Sequence, residues 1–234
     1  HARPTVINNE LQFENGAAWF SGKAVGIGIT NLNFADRPFT VSMWIKLTGK
    51  NLMYGLIDQK DSKRRSRWLH LMLWGSRQPY LGFYNNDAIS PHPIRANHWT
   101  HLLFAHDGHH QMIWVNGEPM CARKSKPYRG RSGTLWIGKS PDWSNVPSLD
   151  FEGHMKDVRI YQSVLSIAKI KLLSGKPFRQ TASLTPSTLP DPETMPKSLN
   201  RARDGGVPFL FINGSHLTLT GETSQVYELE GTTD

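Results

Sequence analysis

A single cysteine, Cys121, serves 234 residues, so no intrachain disulfide is available and the fold must hold itself through its core. Cys121 follows Val115-Asn116-Gly117 in a β-rich stretch and reads as an inert packing residue. Long apolar runs are missing too: none approaches the roughly 20 residues that a membrane-spanning helix needs. With 38% apolar residues and a mean hydropathy of −0.45, the composition is that of a globular protein with no helical membrane insertion. Acidic residues are scarce beside basic ones, 19 against 27, which leaves a net charge of +8. That surplus predicts affinity for a polyanion: acidic polysaccharide, nucleic acid, an anionic membrane surface or an acidic protein. Neither a Gly-x-Ser-x-Gly nucleophile elbow nor a His-Glu-x-x-His zinc motif occurs, and no internal repeat is evident.

What the chain has is alternation. Residues 98–118, HWTHLLFAHDGHHQMIWVNGE, read as two strands, Trp99 to His106 and Gln111 to Asn116, joined by a tight Asp107-Gly108 turn and followed at once by Asn116-Gly117. Turns so close together imply antiparallel strands. Met112 and Trp114 fall on one face, Ile113 and Val115 on the other, so both faces of this ribbon should be covered. In FTVSMWIKL (39–47), Val41, Met43, Ile45 and Leu47 face one way and Ser42, Trp44 and Lys46 the other. In RWLHLMLW (67–74), Leu69, Leu71 and Leu73 are assigned to the core, and Trp68, His70, Met72 and Trp74 to the opposite face. YLGFYNN continues the pattern, with Leu81 and Phe83 opposite Tyr80 and Tyr84. Near 164–174 the spacing of Val164, Leu165, Ile167, Ile170 and Leu173 turns helical and ends on Gly175.

Both ends read differently from the middle. Residues 1–9 look like an extended arm, and His1 reads as the end left by processing or a tag, not as a copper ligand. Residues 176–205 are rich in Pro, Ser and Thr and lose all periodicity, as a strap or linker does. Residues 206–234 form a C-terminal extension, a hairpin around Asn213-Gly214 and a strand in SQVYELEG, expected to pack back on the sandwich because so few apolar groups cannot build their own core. Asn213-Gly214-Ser215 is a glycosylation sequon, but a turn explains it as well.

The hairpin resembles the W-(T/H)-h-x-A-x-x-D-G-…-h-x-V-N-G signature of laminin-G-like, concanavalin A-like domains. LQFENG (11–16), FTVSMWIKL (39–47), GLIDQKD (55–61), LWIGKS (135–140) and FEGHMKDVRIYQSVLS (151–166) are similar to its other elements, in the same order. The resemblance covers roughly residues 10–174. It implies an all-β fold, a two-sheet antiparallel jelly-roll sandwich with one short helix, over residues 1–175. It does not fix function, because this fold hosts lectins, adhesion modules and enzymes. Many such domains hold calcium at the rim. Here Lys156 stands where the family has an acid, and Glu14-Asn15-Gly16-Ala17-Ala18 replaces the opening acidic element, so no family-type calcium site, no other metal and no cofactor is expected. Glycosidases on the fold often carry a Glu-x-Asp-x-(x)-Glu strand; Asp150-x-Glu152 is the nearest match and falls in a structural element of the family. The family's animal members commonly have a disulfide, so the lone cysteine tilts towards a microbial or intracellular origin, while the fold itself suggests an extracellular or cell-surface place.

Aromatic residues give the best functional lead. Sugars stack their apolar C–H faces on aromatic rings while amides and charges read the hydroxyls. Trp68, His70, Trp74, Tyr80 and Tyr84 lie on faces assigned away from the core, with Arg77 in the turn between and Trp143 and Asn145 in a long loop. Two runs, 60–67 and 122–131, hold five basic residues each. Lys63, Arg64, Arg65, Arg67, Arg129 and Arg131 from these runs could form one basic rim. The reading is a non-catalytic, lectin-like module for a glycan, with acidic polysaccharide a candidate ahead of nucleic acid. A protein-interaction module within an assembly is the alternative, with the tail or a partner covering the aromatic face. A polysaccharide-active enzyme, a lyase using His70, Tyr80, Tyr84 and Arg77, is the third.

Overall fold

Strand by strand, alternation sorts the side chains between an inner core and two outer faces. The computed structural model describes residues 11–23, 25–140 and 149–175, together with the backbone of strands at 6–9, 210–213, 216–219 and 225–228. Among these residues there are two antiparallel sheets and one helix. One sheet has seven strands in the order β1 (Val6–Asn9), β4 (Gly26–Ile29), β13 (Leu135–Ile137), β6 (Tyr54–Lys60), β7 (Trp68–Trp74), β8 (Gln78–Gly82) and β9 (Asp87–Ile89). The other has ten. Its main path is β12 (Glu118–Lys124), β11 (His110–Val115), β10 (Trp99–His106), β5 (Phe39–Leu47), β14 (Glu152–Tyr161), β15 (Leu210–Asn213), β16 (His216–Leu219) and β17 (Gln225–Glu228). Of the remaining two, β2 (Gln12–Glu14) pairs with β3 (Ala17–Ser21), and β3 with the first half of β14, whose second half pairs with β15.

The main core lies between the sheets, where Val41, Met43, Ile45 and Leu47 from β5 meet Leu69, Leu71 and Leu73 from β7. A β-bulge keeps β14 in phase with it. Asp157 has a positive φ of 51°, and the register with β5 shifts between Lys156 and Arg159, so Met155 and Val158 both reach the core.

A smaller core sits on the outer face of the ten-stranded sheet. There Leu103, Ala105, Met112 and Trp114 are covered by Tyr161, Val164, Leu165 and Ile170. This explains why the central hairpin is apolar on both sides. The cover includes helix α1 (Ile167–Leu173), whose first turn is capped by Ser166 Oγ accepting from the Lys169 amide at 3.3 Å.

Several sequence expectations need correction. Residues 6–9 are not a free arm but strand β1, paired with Gly26–Ile29. The helix starts at Ile167, because Ser166 caps it; Val164 and Leu165 lie before it, outside any helix, and reach the outer cluster from there. The hairpin turn is longer than two residues. The Asp107 carboxylate accepts the amides of His109 and His110 at 2.8 and 2.6 Å, and Gly108 alone of the Asp-Gly pair has positive φ. The Asn116-Gly117 turn does have both residues at positive φ, 51° and 77°, which matches the strand twist. Of the C-terminal extension, the described strands continue the ten-stranded sheet in its plane. The strap at 176–205, residues 1–5 and the loop with Trp143 and Asn145 lie outside the described residues.

Candidate functional site

β7 and β8 pair with His70 opposite Gly82 and Met72 opposite Tyr80. This register lines up five rings on the outer face of the seven-stranded sheet. Tyr84 stacks on Trp68 with centroids 5.7 Å apart, and Trp68 meets His70 edge-on at 5.7 Å. His70 stacks on Tyr80 at 5.6 Å, and Tyr80 leans on Trp74 at 5.7 Å. Offset stacks and edge contacts of this kind are the favoured aromatic geometries.

The sequence placed all five rings on one face, and the structure separates their roles. Trp68 and His70 are each 2% exposed, whereas Trp74, Tyr80 and Tyr84 are half-buried. Trp68 donates its indole N–H to Asp58 Oδ1 at 2.9 Å and carries the Lys60 ammonium 5.2 Å above its ring. Burial holds the His70 imidazole well below its ordinary pKa, at about 4, despite the opposing charge of Asp87. His70 is therefore neutral at pH 7, and its 3.9 Å approach to Asp87 is a dipolar contact, not an ion pair. Burial, then Asp87, pushes the Tyr80 phenol far above its usual range. Arg77 is tied down: its guanidinium donates to the carbonyls of Asn51 and Lys50 at 3.1 and 3.2 Å.

The two basic loops come together at the Trp68 end of this strip. The Arg129 amide donates to the Ser66 carbonyl at 2.7 Å, and the Ser132 hydroxyl donates to the Asp61 carboxylate. The Ser66 amide in turn donates to the Tyr84 carbonyl at 3.1 Å, which joins this edge to the rings. Arg67 pairs with Asp61 at 3.0 Å and Arg131 with Asp36 at 2.6 Å. Lys63, Arg64, Arg65 and Arg129 are exposed and form no ion pair among the described residues, so the edge is net positive.

Other sequence features resolve into scaffold. Gly133 to Ser140 spell the G-x-x-x-x-G-K-S string of a phosphate loop. Here its centre is β13, hydrogen-bonded between β4 and β6, so its amides cannot wrap a phosphate. Asp150 Oδ1 accepts the Ser140 amide at 3.0 Å. Lys156, at the family's acidic position, lies 4.4 Å over the Trp99 ring. Among the described residues no group of three or more His, Cys, Asp or Glu is placed to hold a metal, and no helix is long and apolar enough to cross a membrane.

One arrangement was not foreseen. On the outer face of the ten-stranded sheet, Ser42 Oγ lies 2.9 Å from His101 Nε2. Burial, with Arg159 adding to it, lowers the His101 pKa to about 4. Its Nδ1 has no partner, so the pair lacks the orienting acid of a nucleophilic triad. Ser42 and Trp44 line an open cavity of about 390 Å³ between the sheet and α1. The register Trp44↔His101 creates this meeting, and residues so far apart in sequence give no local signal of it.

Two antiparallel sheets around one core, with one short helix on an outer face, define a concanavalin A-like jelly-roll sandwich. Residues 21–171 match the family model described as the concanavalin A-like lectin/glucanases superfamily, and the chain belongs to it. No curated protein matches in sequence. Among solved structures, domain 4 of AbnA, an extracellular arabinanase from Geobacillus stearothermophilus in complex with arabinotriose, is 19% identical with a TM-score of 0.60; the match covers 74% of this chain and 88% of that one. The Trypanosoma rangeli sialidase is 16% identical with a TM-score of 0.58, over 72% of this chain and 29% of that one. A putative carbohydrate-binding protein from Bacteroides ovatus is 14% identical with a TM-score of 0.53, over 98% of this chain and 62% of that one. At these identities the likeness is one of fold.

Proposed function

We propose that this chain is a non-catalytic carbohydrate-binding module. It takes a glycan, an acidic one by preference, where the aromatic strip of the seven-stranded sheet meets the basic edge. The observation that carries this reading is the unbroken run of rings from Trp74 to Tyr84 ending against loops 61–67 and 125–134. Trp74, Tyr80 and Tyr84 supply the partly open surface, and Trp68 and His70 hold them in place. Lys63, Arg64, Arg65 and Arg129 supply charge for carboxylate or sulfate groups. The arabinotriose-bound domain supports the carbohydrate class, and its extracellular enzyme supports a secreted or surface location.

Catalysis fits the same residues poorly. A lyase needs a proton acceptor poised near neutral pH. Tyr80 is pushed up and His70 down, which makes the phenol a hard group to deprotonate and the imidazole a weak base.

A glycan array at low and moderate salt tests the proposal, with Trp74→Ala/Tyr84→Ala beside the parent. Trp68 is unsuitable for the test because it is buried and bonded to Asp58. Selective binding that survives salt and disappears in the variant supports the proposal. Binding to acidic glycans that salt abolishes equally in both proteins would reduce the site to an unspecific basic surface. No binding to any glycan would overturn it and leave the protein-interaction reading.

A further inference from the structure

The outer face of the ten-stranded sheet carries a second aromatic array that the function proposed above does not use. Four side chains meet in a row across adjacent strands: Trp19 on β3 pairs with His154 on β14, His154 with Lys46 on β5, and Lys46 with Trp99 on β10. The Trp19 and His154 rings lie 4.7 Å apart, and the Trp99 and His154 rings 6.3 Å. Lys156, whose ammonium sits 4.4 Å over Trp99, is the cross-strand partner of Trp44. Trp44 opens into the 390 Å³ cavity, whose wall includes Arg159 and Lys169. Its indole N–H is fixed by the Leu173 carbonyl at 3.2 Å. Helix α1 covers Trp114 on the neighbouring strand but leaves Trp19, Trp44 and Trp99 half-exposed.

We infer that this face binds an anionic polysaccharide, laid across the strands between Trp19 and Trp99, with a carboxylated or sulfated sugar seated in the cavity against Trp44. The indoles give sugar C–H faces an apolar platform. Lys46, Lys156, Arg159 and Lys169 give the positive charge, and Ser42 lines the cavity floor beside Trp44. Two acids interrupt that charge: Glu14, 3.2 Å from His154, and Asp157, 3.4 Å from Arg159. A nucleic-acid strand, whose bases also stack on aromatic rings, is the competing polyanion. Three strand intervals span roughly 14 Å, room for a short run of sugars, and the cavity falls within the roughly 300–1,000 Å³ range of small-ligand pockets. The surface shares no residue with the strip on the seven-stranded sheet, so it stands or falls alone.

The full chain is titrated with polygalacturonate and heparin as anionic probes, dextran as the neutral one, and a thymidine oligonucleotide as the polyphosphate. Trp99→Ala/Lys156→Ala is expected to weaken polygalacturonate or heparin by roughly tenfold, with dextran unaffected and Trp74→Ala/Tyr84→Ala keeping this component. If Trp99→Ala/Lys156→Ala binds both anionic probes as the parent does while Trp74→Ala/Tyr84→Ala loses glycan, this inference fails and the first site survives. Tighter binding of the oligonucleotide than of either polysaccharide also overturns it. Should the double variant lose its fold by circular dichroism, Lys156→Gln decides: the inference requires roughly threefold weaker heparin binding, and an unchanged affinity refutes it.

Discussion

The rings of His70 and Tyr80 lie stacked, planes 16° from parallel, because position 82 between them carries no side chain. A β-carbon built on Gly82 would overlap Nε2 of His70 and come within 2.5 Å of the Tyr80 ring. Gly82→Ala must therefore push His70 out of line. The expected cost is about 1–3 kcal/mol of stability, that of an overpacked site. Denaturant unfolding measures it, and glycan affinity should fall with it if the strip is the binding surface.

Three buried histidines make the protein sensitive to acid. His70, His101 and His106 are each at most 2% exposed, and each has its pKa lowered to about 4, mainly by burial. The unfolded chain takes up these protons near the ordinary value of 6.5. Stability from the three is thus fully present above that pH and drains away as the pH falls towards 4. Each contributes a slope of up to about 1.4 kcal/mol per pH unit in this window. Urea unfolding at stepped pH should show the decline, and His106→Gln should make it shallower. A flat profile between pH 6.5 and 4 would contradict the burial of these rings.

Ser42→Ala should destabilise the sheet through its neighbour. The variant leaves His101 Nε2 without the hydroxyl 2.9 Å away, beside an Nδ1 that already has no partner. An unsatisfied buried polar group costs roughly 1–3 kcal/mol. Thermal unfolding should report that loss, while glycan binding on the seven-stranded sheet stays unchanged.

Gly117→Ala should loosen the helix. Gly117 has φ of +77°, and a β-carbon there would overlap Ser174 Oγ and sit 3.1 Å from Ser174 Cβ. Backbone strain alone is worth about 1 kcal/mol, and the clash at the end of α1 adds to it. Hydrogen exchange of the Ile170 and Ser174 amides, both bonded within the helix, should accelerate in the variant.

Glycan binding is expected to be indifferent to EDTA and to added calcium. Lys156 puts an ammonium where the family places an acid, and that charge repels a hard cation. A calcium-dependent array would overturn the expectation.

Much of this fold could be read locally. β5 and β7 announce their inner faces by alternation, and the Asn116-Gly117 turn needs only two residues to declare itself. What escaped depends on partners distant in sequence. That Trp68 and His70 would be buried on an outer face depends on Gly82, Asp58 and Tyr84 arriving beside them. The Ser42–His101 contact depends on the pairing of β5 with β10. The first strand was missed because Val6–Asn9, two adjacent apolar residues followed by two asparagines, shows no alternation of its own. The bulge in β14 was missed because Asp157-Val158-Arg159-Ile160-Tyr161 alternates well by itself and gives no hint of the break just before it.

That break has a consequence for the shape of the surface. Met155 and Val158 stand an odd number of residues apart, yet both point inward, so the strand changes phase at Asp157. Were Asp157 a regular ladder residue with no bulge, Arg159 and Tyr161 would exchange places with Val158 and Ile160, and charge would enter the core. The residue that prevents this also parts the ladder between Lys156 and Arg159, and Trp44, Asp157 and Arg159 line the hollow at that spot. The hollow lies where a single residue is inserted: deleting Asp157 would restore an unbroken ladder with β5 and leave Val158 and Ile160 facing inward.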